Sequence, residues 1–138
     1  MTVVVDANLL VMLVNRDPRR EVVRQQFHTW ITQAVNIHTP DLALYEVANS
    51  LTRLIRANLF PRQEVATAWE APVQLPIIYH RLNSGSRAIE IALILERQSA
   101  YDAAYLSLAE SLNAELWTLD GPLYRNAISY GFSIPFLQ

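Results

Sequence analysis

Four carboxylates in this chain stand where they could do chemistry together. Asp6 ends the apolar run Val3-Val4-Val5, and Glu46 lies one turn into the helical stretch that follows Thr39-Pro40. Asp102 opens the segment Tyr101-Asp102-Ala103-Ala104-Tyr105-Leu106, and Asp120 closes the run Leu116-Trp117-Thr118-Leu119. A parallel α/β fold would turn all four toward one cleft. Acids gathered there from separate segments raise one another's pKa unless a cation neutralises them. The economical reading is a divalent-metal site, and with it chemistry on phosphate.

Each acid alone has an ordinary explanation. Asp6 could begin a turn after a strand. Glu46 could belong to a solvated helix face, and Asp102 could favour the first turn of its helix through the dipole. Asp120, before Gly121-Pro122, could be a turn residue or an N-cap. Their joint placement outweighs these readings. Asn8 and Thr118, each two residues from a strand-end acid, are expected to orient it by hydrogen bonding.

The elements that must carry these residues alternate along the chain. Val3–Val5 is a short β-branched run that reads as a buried strand. Leu9–Val14 is apolar and leads into the turn Asn15-Arg16-Asp17-Pro18. Val22, Val23, Phe27, Trp30 and Ile31 recur at helical spacing, and Val35–His38 reads as a second strand. Thr39-Pro40 predicts an N-cap with Pro at the first helical position. The helix it opens runs to about Asn58, with Leu44, Val47, Ala48, Leu51, Leu54 and Ile55 on its apolar face. Glu46, Asn49, Ser50 and Arg53 lie on the polar flank of the same helix.

Further along, a helix is expected from near Pro61 and a strand over Leu75–Tyr79. Ser84-Gly85-Ser86 marks a turn before a helix over Arg87–Arg97, and another helix runs from about Ala100 to Leu112. A strand over Glu115–Leu119, a helix over Pro122–Tyr130 and a last short strand near Ile134–Phe136 complete the chain. This order predicts an α/β fold, a parallel sheet with helices on both faces, as one domain over residues 1–138. Ligands of such sheets bind beyond the C-terminal ends of the strands, where Asp6 and Asp120 fall.

Composition narrows the classes. The 138 residues contain no Cys, which excludes disulfides and thiolate metal sites. A hydrophobic fraction of 51% is high, and leaves apolar surface for a subunit or partner to cover. No stretch approaches the roughly 20 apolar residues of a membrane span, and no basic residue precedes the apolar N-terminus, so a cytoplasmic protein is expected. The net charge of −2 argues against a broadly basic coat for nucleic acid. All eleven basic residues are Arg. Receiver domains and haloacid-dehalogenase-type phosphatases also set acids at strand ends, but usually rely on a Lys near the phosphate, which this chain lacks. Gly-rich phosphate loops are absent too, and His28, His38 and His80 show no metal-ligand spacing.

Taken in order, the stretches Val3-Val4-Val5-Asp6-Ala7-Asn8, Glu46-Val47-Ala48-Asn49-Ser50-Leu51, Tyr101–Glu110 and Leu116–Asp120 with Leu123 resemble the PIN-domain nucleases. The likeness is greatest to the VapC-like toxins of toxin–antitoxin pairs. It covers nearly the whole chain, strongly over Ser99–Leu123 and weakly over Phe60–Gly85. Gly121-Pro122 departs from the polar or basic residues that many relatives carry there. The resemblance implies a three-layer α/β/α sandwich with a central parallel β-sheet and an Mg²⁺- or Mn²⁺-dependent ribonuclease. It places Asp6, Glu46, Asp102 and Asp120 at the family's acidic positions. It also implies a cognate antitoxin as partner and a homodimer.

Hard oxygen ligands suit Mg²⁺ or Mn²⁺. Asp6, Asp102 and Asp120 are the expected ligands, with Glu46 acting directly or through water and able to assist proton transfer. Arg16, Arg19, Arg20 and Arg24 follow the segment led by Asp6 and could grip RNA phosphates at the cleft rim, or be a solvated helix start. Arg53, seven residues after Glu46 on the same flank, could touch phosphate or pair with an acid. Trp30, Trp69, Trp117 and most Tyr read as core or interface. Two other readings stay open: a PIN-like module that binds RNA or protein without cleaving, and a nuclease of RNA processing or decay.

Overall fold

The computed structural model describes residues 1–135. Four parallel strands, β1 (Thr2–Val5), β2 (Asn36–Pro40), β3 (Ile77–His80) and β4 (Glu115–Trp117), form one sheet in the order β3-β2-β1-β4. Val3, Val4 and Val5 of the central β1 are buried on both sides, as a parallel strand covered by two helical layers requires. The layers are built from α1 (Ala7–Val14), α2 (Arg20–Thr32), α3 (Leu42–Arg56), α4 (Val65–Gln74), α5 (Gly85–Ile94), α6 (Tyr101–Ser111) and α7 (Gly121–Ser129). Helix α6 crosses β1, β2 and β4 with α5 stacked on it, while α1 is the centre of a second group with α2, α3 and α4. The expected sandwich is what forms. Among the described residues, no helix is long and apolar enough to cross a membrane.

Several local expectations change. Leu9–Val14 has no assigned element in the sequence because it is apolar almost throughout, yet it is helical, and Leu9, Leu10 and Met12 are buried. Thr39 and Pro40 do not cap α3. They remain in β2, where Thr39 Oγ1 donates to the Val5 carbonyl at 2.8 Å. With that hydroxyl engaged by the neighbouring strand, the cap position passes to Asp41. Ala48, expected on the apolar face of α3, is exposed, whereas Ala43, Val47 and Leu51 are buried. The helix near Pro61 begins as a 3-10 turn, Arg62–Glu64. Residues 133–135 are not a strand, although the Ser133 and Pro135 carbonyls accept from Leu116 and Thr118 N–H at 3.2 and 3.3 Å. Phe136, the end of the strand expected there, lies outside the described residues.

Candidate active site

The sheet places the first two acids. β1 pairs with β4, and the Asp6 N–H donates to the Trp117 carbonyl at 3.0 Å, so both chains leave the sheet at the same edge. Asp6 stands at the N-cap of α1, yet its side chain makes no cap hydrogen bond. Its Oδ2 instead accepts from Thr118 Oγ1 at 2.8 Å and from Asn8 Nδ2 at 3.2 Å. Asp120 caps α7, and its Oδ1 accepts the Leu123 N–H at 3.0 Å. Pro122 follows in the first turn, where a missing N–H costs nothing.

Thr118 and Asn8 tie these two acids into one network. The buried Thr118 hydroxyl donates to Asp6 and accepts from Asn8 Nδ2 at 3.2 Å and from the Asp120 N–H at 3.0 Å. That uses its one donor and both acceptor sites. Asn8 Oδ1 accepts the Leu119 N–H at 3.2 Å. Asn8 thus meets the acid it was expected to orient, whereas Thr118, expected beside the Asp120 side chain, instead holds the Asp6 carboxylate and meets only the backbone N–H of Asp120.

The helices supply the other two. Glu46 projects from α3, and Asp102 stands in the first turn of α6. Tyr105, three residues after Asp102, donates its hydroxyl to Glu46 Oε1. Arg97 Nη1 lies 3.6 Å from Asp102 Oδ2, and its Nε is buried without a hydrogen-bond partner. All four acids line one cleft of about 300 Å³, together with Asn8, Val11, Met12, Asn49, Ser50 and Arg53.

Crowding and burial leave their mark on the acids. Burial pushes Asp6 up to about 7; the charges of Glu46, Asp102 and Asp120 add to this, and the Thr118 hydrogen bond partly offsets it. Glu46 is raised by burial and by Asp102, against the Tyr105 hydrogen bond and Arg53. Asp102 is raised by burial and by Asp120, against Arg97. Burial and the nearby Asp6 and Glu46 charges hold the Tyr105 hydroxyl firmly protonated. Three carboxyls displaced in the same direction in one cleft make it the candidate functional site.

The donor set is all oxygen, which suits a hard divalent cation. Each acid also has its own partner, and among the described residues no three His, Asp or Glu side chains converge closely enough to hold one ion. Ligation would require the carboxylates to rotate toward one another within the cleft they share.

The arginines divide. Arg53 lines the cleft and donates to Ser50 Oγ at 3.3 Å. Arg16, Arg19 and Arg20 do not line it: Arg16 pairs with Glu64 at 3.1 Å, Arg19 with Asp17 at 3.3 Å, and Arg20 donates to the Leu13 carbonyl. The cause is α1, whose eight residues carry the chain about 12 Å from Asp6 before these arginines begin. Sequence reasoning missed Tyr105 and Arg97. The i,i+3 spacing from Asp102 is a signal for Tyr105; no spacing points to Arg97.

The chain matches the family model described as the PIN domain over residues 3–128. It is 34% identical over 130 residues to ribonuclease VapC3 of Pyrobaculum aerophilum, covering 89% of this chain and 92% of that protein. Its fold is similar to VapBC2 from Rickettsia felis, solved bound to a DNA fragment from the promoter, with a TM-score of 0.71 and 14% identity over 100% of both chains. It is also similar to VapC20 of Mycobacterium tuberculosis, a sarcin–ricin-loop-cleaving toxin. There the TM-score is 0.66 and the identity 18%, over 94% of this chain and 95% of that one.

Proposed function

This chain belongs to the PIN-domain family, and on that premise we propose that it is a metal-dependent endoribonuclease, the toxin of a toxin–antitoxin pair. The observation that carries the proposal is the convergence of Asp6, Glu46, Asp102 and Asp120 on one cleft, three of them held above the ordinary carboxylate range. The name of its relative, a VapC ribonuclease, supports RNA as substrate.

In this reading Asp6, Asp102 and Asp120 hold Mg²⁺ or Mn²⁺, with Glu46 contributing directly or through water. Such an ion, when bound, supplies Lewis acidity at the phosphate and acidifies a coordinated water. The chain's own residues do the rest. Thr118 and Asn8 fix the Asp6 carboxylate. Glu46, steadied by Tyr105, is the group to receive a proton from the attacking water. Arg53 is the cation within the cleft that can meet a substrate phosphate. The partner is a cognate antitoxin that covers apolar surface and presents a basic residue to the acids. The protein assembles as a homodimer and works in the cytoplasm.

The test is cleavage of a random RNA library by wild type and Asp102→Asn, with Mn²⁺ and with EDTA. Cleavage by wild type in Mn²⁺ alone supports the proposal; equal cleavage in every condition refutes it.

A further inference from the structure

Of the four acids, Asp102 is held differently. Asp6, Glu46 and Asp120 each accept a hydrogen bond, from Thr118 and Asn8, from Tyr105 and from the Leu123 N–H. Asp102 accepts none among the described residues, and its partner is the Arg97 guanidinium, with Nη1 3.6 Å from Oδ2. That distance makes an ion pair and is too long for a hydrogen bond. Asp102 is therefore held by charge alone.

The backbones on both sides of this pair are fixed. Helix α5 ends in a left-handed Glu96, at φ 55°, whose N–H donates to the Leu93 carbonyl at 3.2 Å, while the Arg97 N–H donates to that of Ala92 at 2.9 Å. These two bonds close a Schellman turn, which sets the direction in which the chain leaves the helix. The carbonyl of the buried Leu95 accepts from Asn126 Nδ2 of α7 at 3.0 Å, so the turn is also tied to the helix that Asp120 caps. Across from it, Asp102 sits in the first turn of α6. The Arg97 side chain is only 26% exposed, and its Nε is buried with no hydrogen-bond partner among the described residues. An arginine gives up hydration to sit here and gains little hydrogen bonding in return. What the position supplies is its charge.

We propose that Arg97 is a built-in counter-ion that competes with the bound cation for Asp102, and so sets how tightly the acid cleft takes up metal. The inference rests on the metal-site reading and concerns the regulation of that same site. A divalent cation among the four acids and the Arg97 guanidinium attract the same carboxylate and repel each other. To ligate, Asp102 has to turn into the cleft, which Arg97 does not line, and give up the pair at 3.6 Å. Held by charge without a hydrogen bond, it is free to turn. Without metal, Arg97 offsets part of the repulsion among the acids. With metal, the same charge opposes the ion, and uptake becomes an exchange of one cation for another at Asp102. Arg97 is thus a positioning residue that acts through Asp102.

The experiment measures metal uptake rather than cleavage. Protein freed of metal is titrated with Mn²⁺ at about pH 8, where the carboxylates are largely ionised, and free Mn²⁺ is followed by electron paramagnetic resonance. The proteins are wild type, Arg97→Met, Arg97→Gln, Arg97→Lys, Asp102→Asn, Arg97→Met/Asp102→Asn, and Arg81→Met as a cation that does not line the acid cleft. The expected result is about three- to tenfold tighter uptake by Arg97→Met and by Arg97→Gln, a gain that misfolding does not produce. Arg97→Lys keeps the charge and should bind like wild type, as should Arg81→Met. In the Asp102→Asn background the gain should shrink. Saturating Mn²⁺ should raise the Tm of Arg97→Met by more than that of wild type, because the shift follows affinity. A merely structural Arg97 would lower Tm with and without metal alike. Unchanged or weaker uptake by both neutral variants overturns the inference, as does an equal gain in Arg97→Lys or Arg81→Met, or an undiminished gain beside Asp102→Asn. Mn²⁺-dependent cleavage of RNA by wild type is scored separately. Uptake by wild type with no Arg97 effect sinks this inference alone, and the Arg97 effect without cleavage sinks the nuclease reading alone. No uptake by wild type sinks the metal reading and this inference with it.

Discussion

The Thr118 hydroxyl donates to Asp6 Oδ2 at 2.8 Å across 112 residues of chain, and Thr118 Oγ1 itself accepts the Asp120 N–H at 3.0 Å. One buried side chain therefore fixes the Asp6 carboxylate and the backbone that leads into Asp120. Its effect comes from the pairing of β1 with β4, which sets residue 118 beside residue 6.

Thr118→Val keeps the shape and removes the hydroxyl. Asp6 loses its shortest donor and the part-buried Asp120 N–H loses its acceptor, while Asn8 Nδ2 keeps only Asp6. Stranded polar groups of this kind cost about 1–3 kcal/mol. Chemical denaturation should show a loss of that size, and Thr118→Ser should recover most of it.

Tyr105→Phe deletes the hydroxyl that steadies Glu46 and leaves the ring in the core. Hydrogen bonds to charged groups are worth roughly 1.5–3 kcal/mol. If Glu46 handles a proton in the reaction, kcat should fall about tenfold or more with KM nearly unchanged. A rise in KM at constant kcat would place Tyr105 in substrate binding instead.

Stability in metal-free buffer should depend on pH through Asp6. In the unfolded chain this group loses its proton near the ordinary aspartate value of 3.8, and in the folded protein near 7. Between these the folded state holds the extra proton, so the contribution of Asp6 is complete below about pH 4 and is lost as pH rises through 7. Asp6→Asn removes the buried charge. It should be more stable than wild type by about 4 kcal/mol at about pH 8, by about 1–2 kcal/mol at about pH 5, and nearly equal to it only below about pH 4. A difference that stays constant with pH would show that Asp6 carries no raised pKa.

Much of the site was legible because the acids sit where α/β topology converges. A carboxylate after a strand, or in the first turn of a helix packed on the sheet, faces the C-terminal edge without any knowledge of contacts. Asn8 was legible for the same reason, two residues from the Asp6 it meets; Thr118 was not, because its hydroxyl reaches the Asp6 carboxylate across the β1–β4 pair. Tyr105 was not, because an aromatic among the apolar residues of a buried helix reads as core. It is core, and only its hydroxyl reaches across to α3. Arg16, Arg19 and Arg20 follow Asp6 closely in sequence but do not line the acid cleft, because α1 carries the chain about 12 Å away before they begin. The Thr39-Pro40 cap failed for a local reason: a threonine hydroxyl can satisfy the neighbouring strand instead of a helix end.

If the four acids from four elements form one cation site, Mn²⁺ uptake reports it without any substrate. Wild type and the variants Asp6→Asn, Glu46→Gln, Asp102→Asn and Asp120→Asn are freed of metal, then titrated with Mn²⁺ and followed by electron paramagnetic resonance. Wild type should take up Mn²⁺, and Asp6→Asn, Asp102→Asn and Asp120→Asn should each weaken that uptake about tenfold or more, with Glu46→Gln weakening it less. Equal uptake by wild type and all four variants would show that the acids do not share a cation.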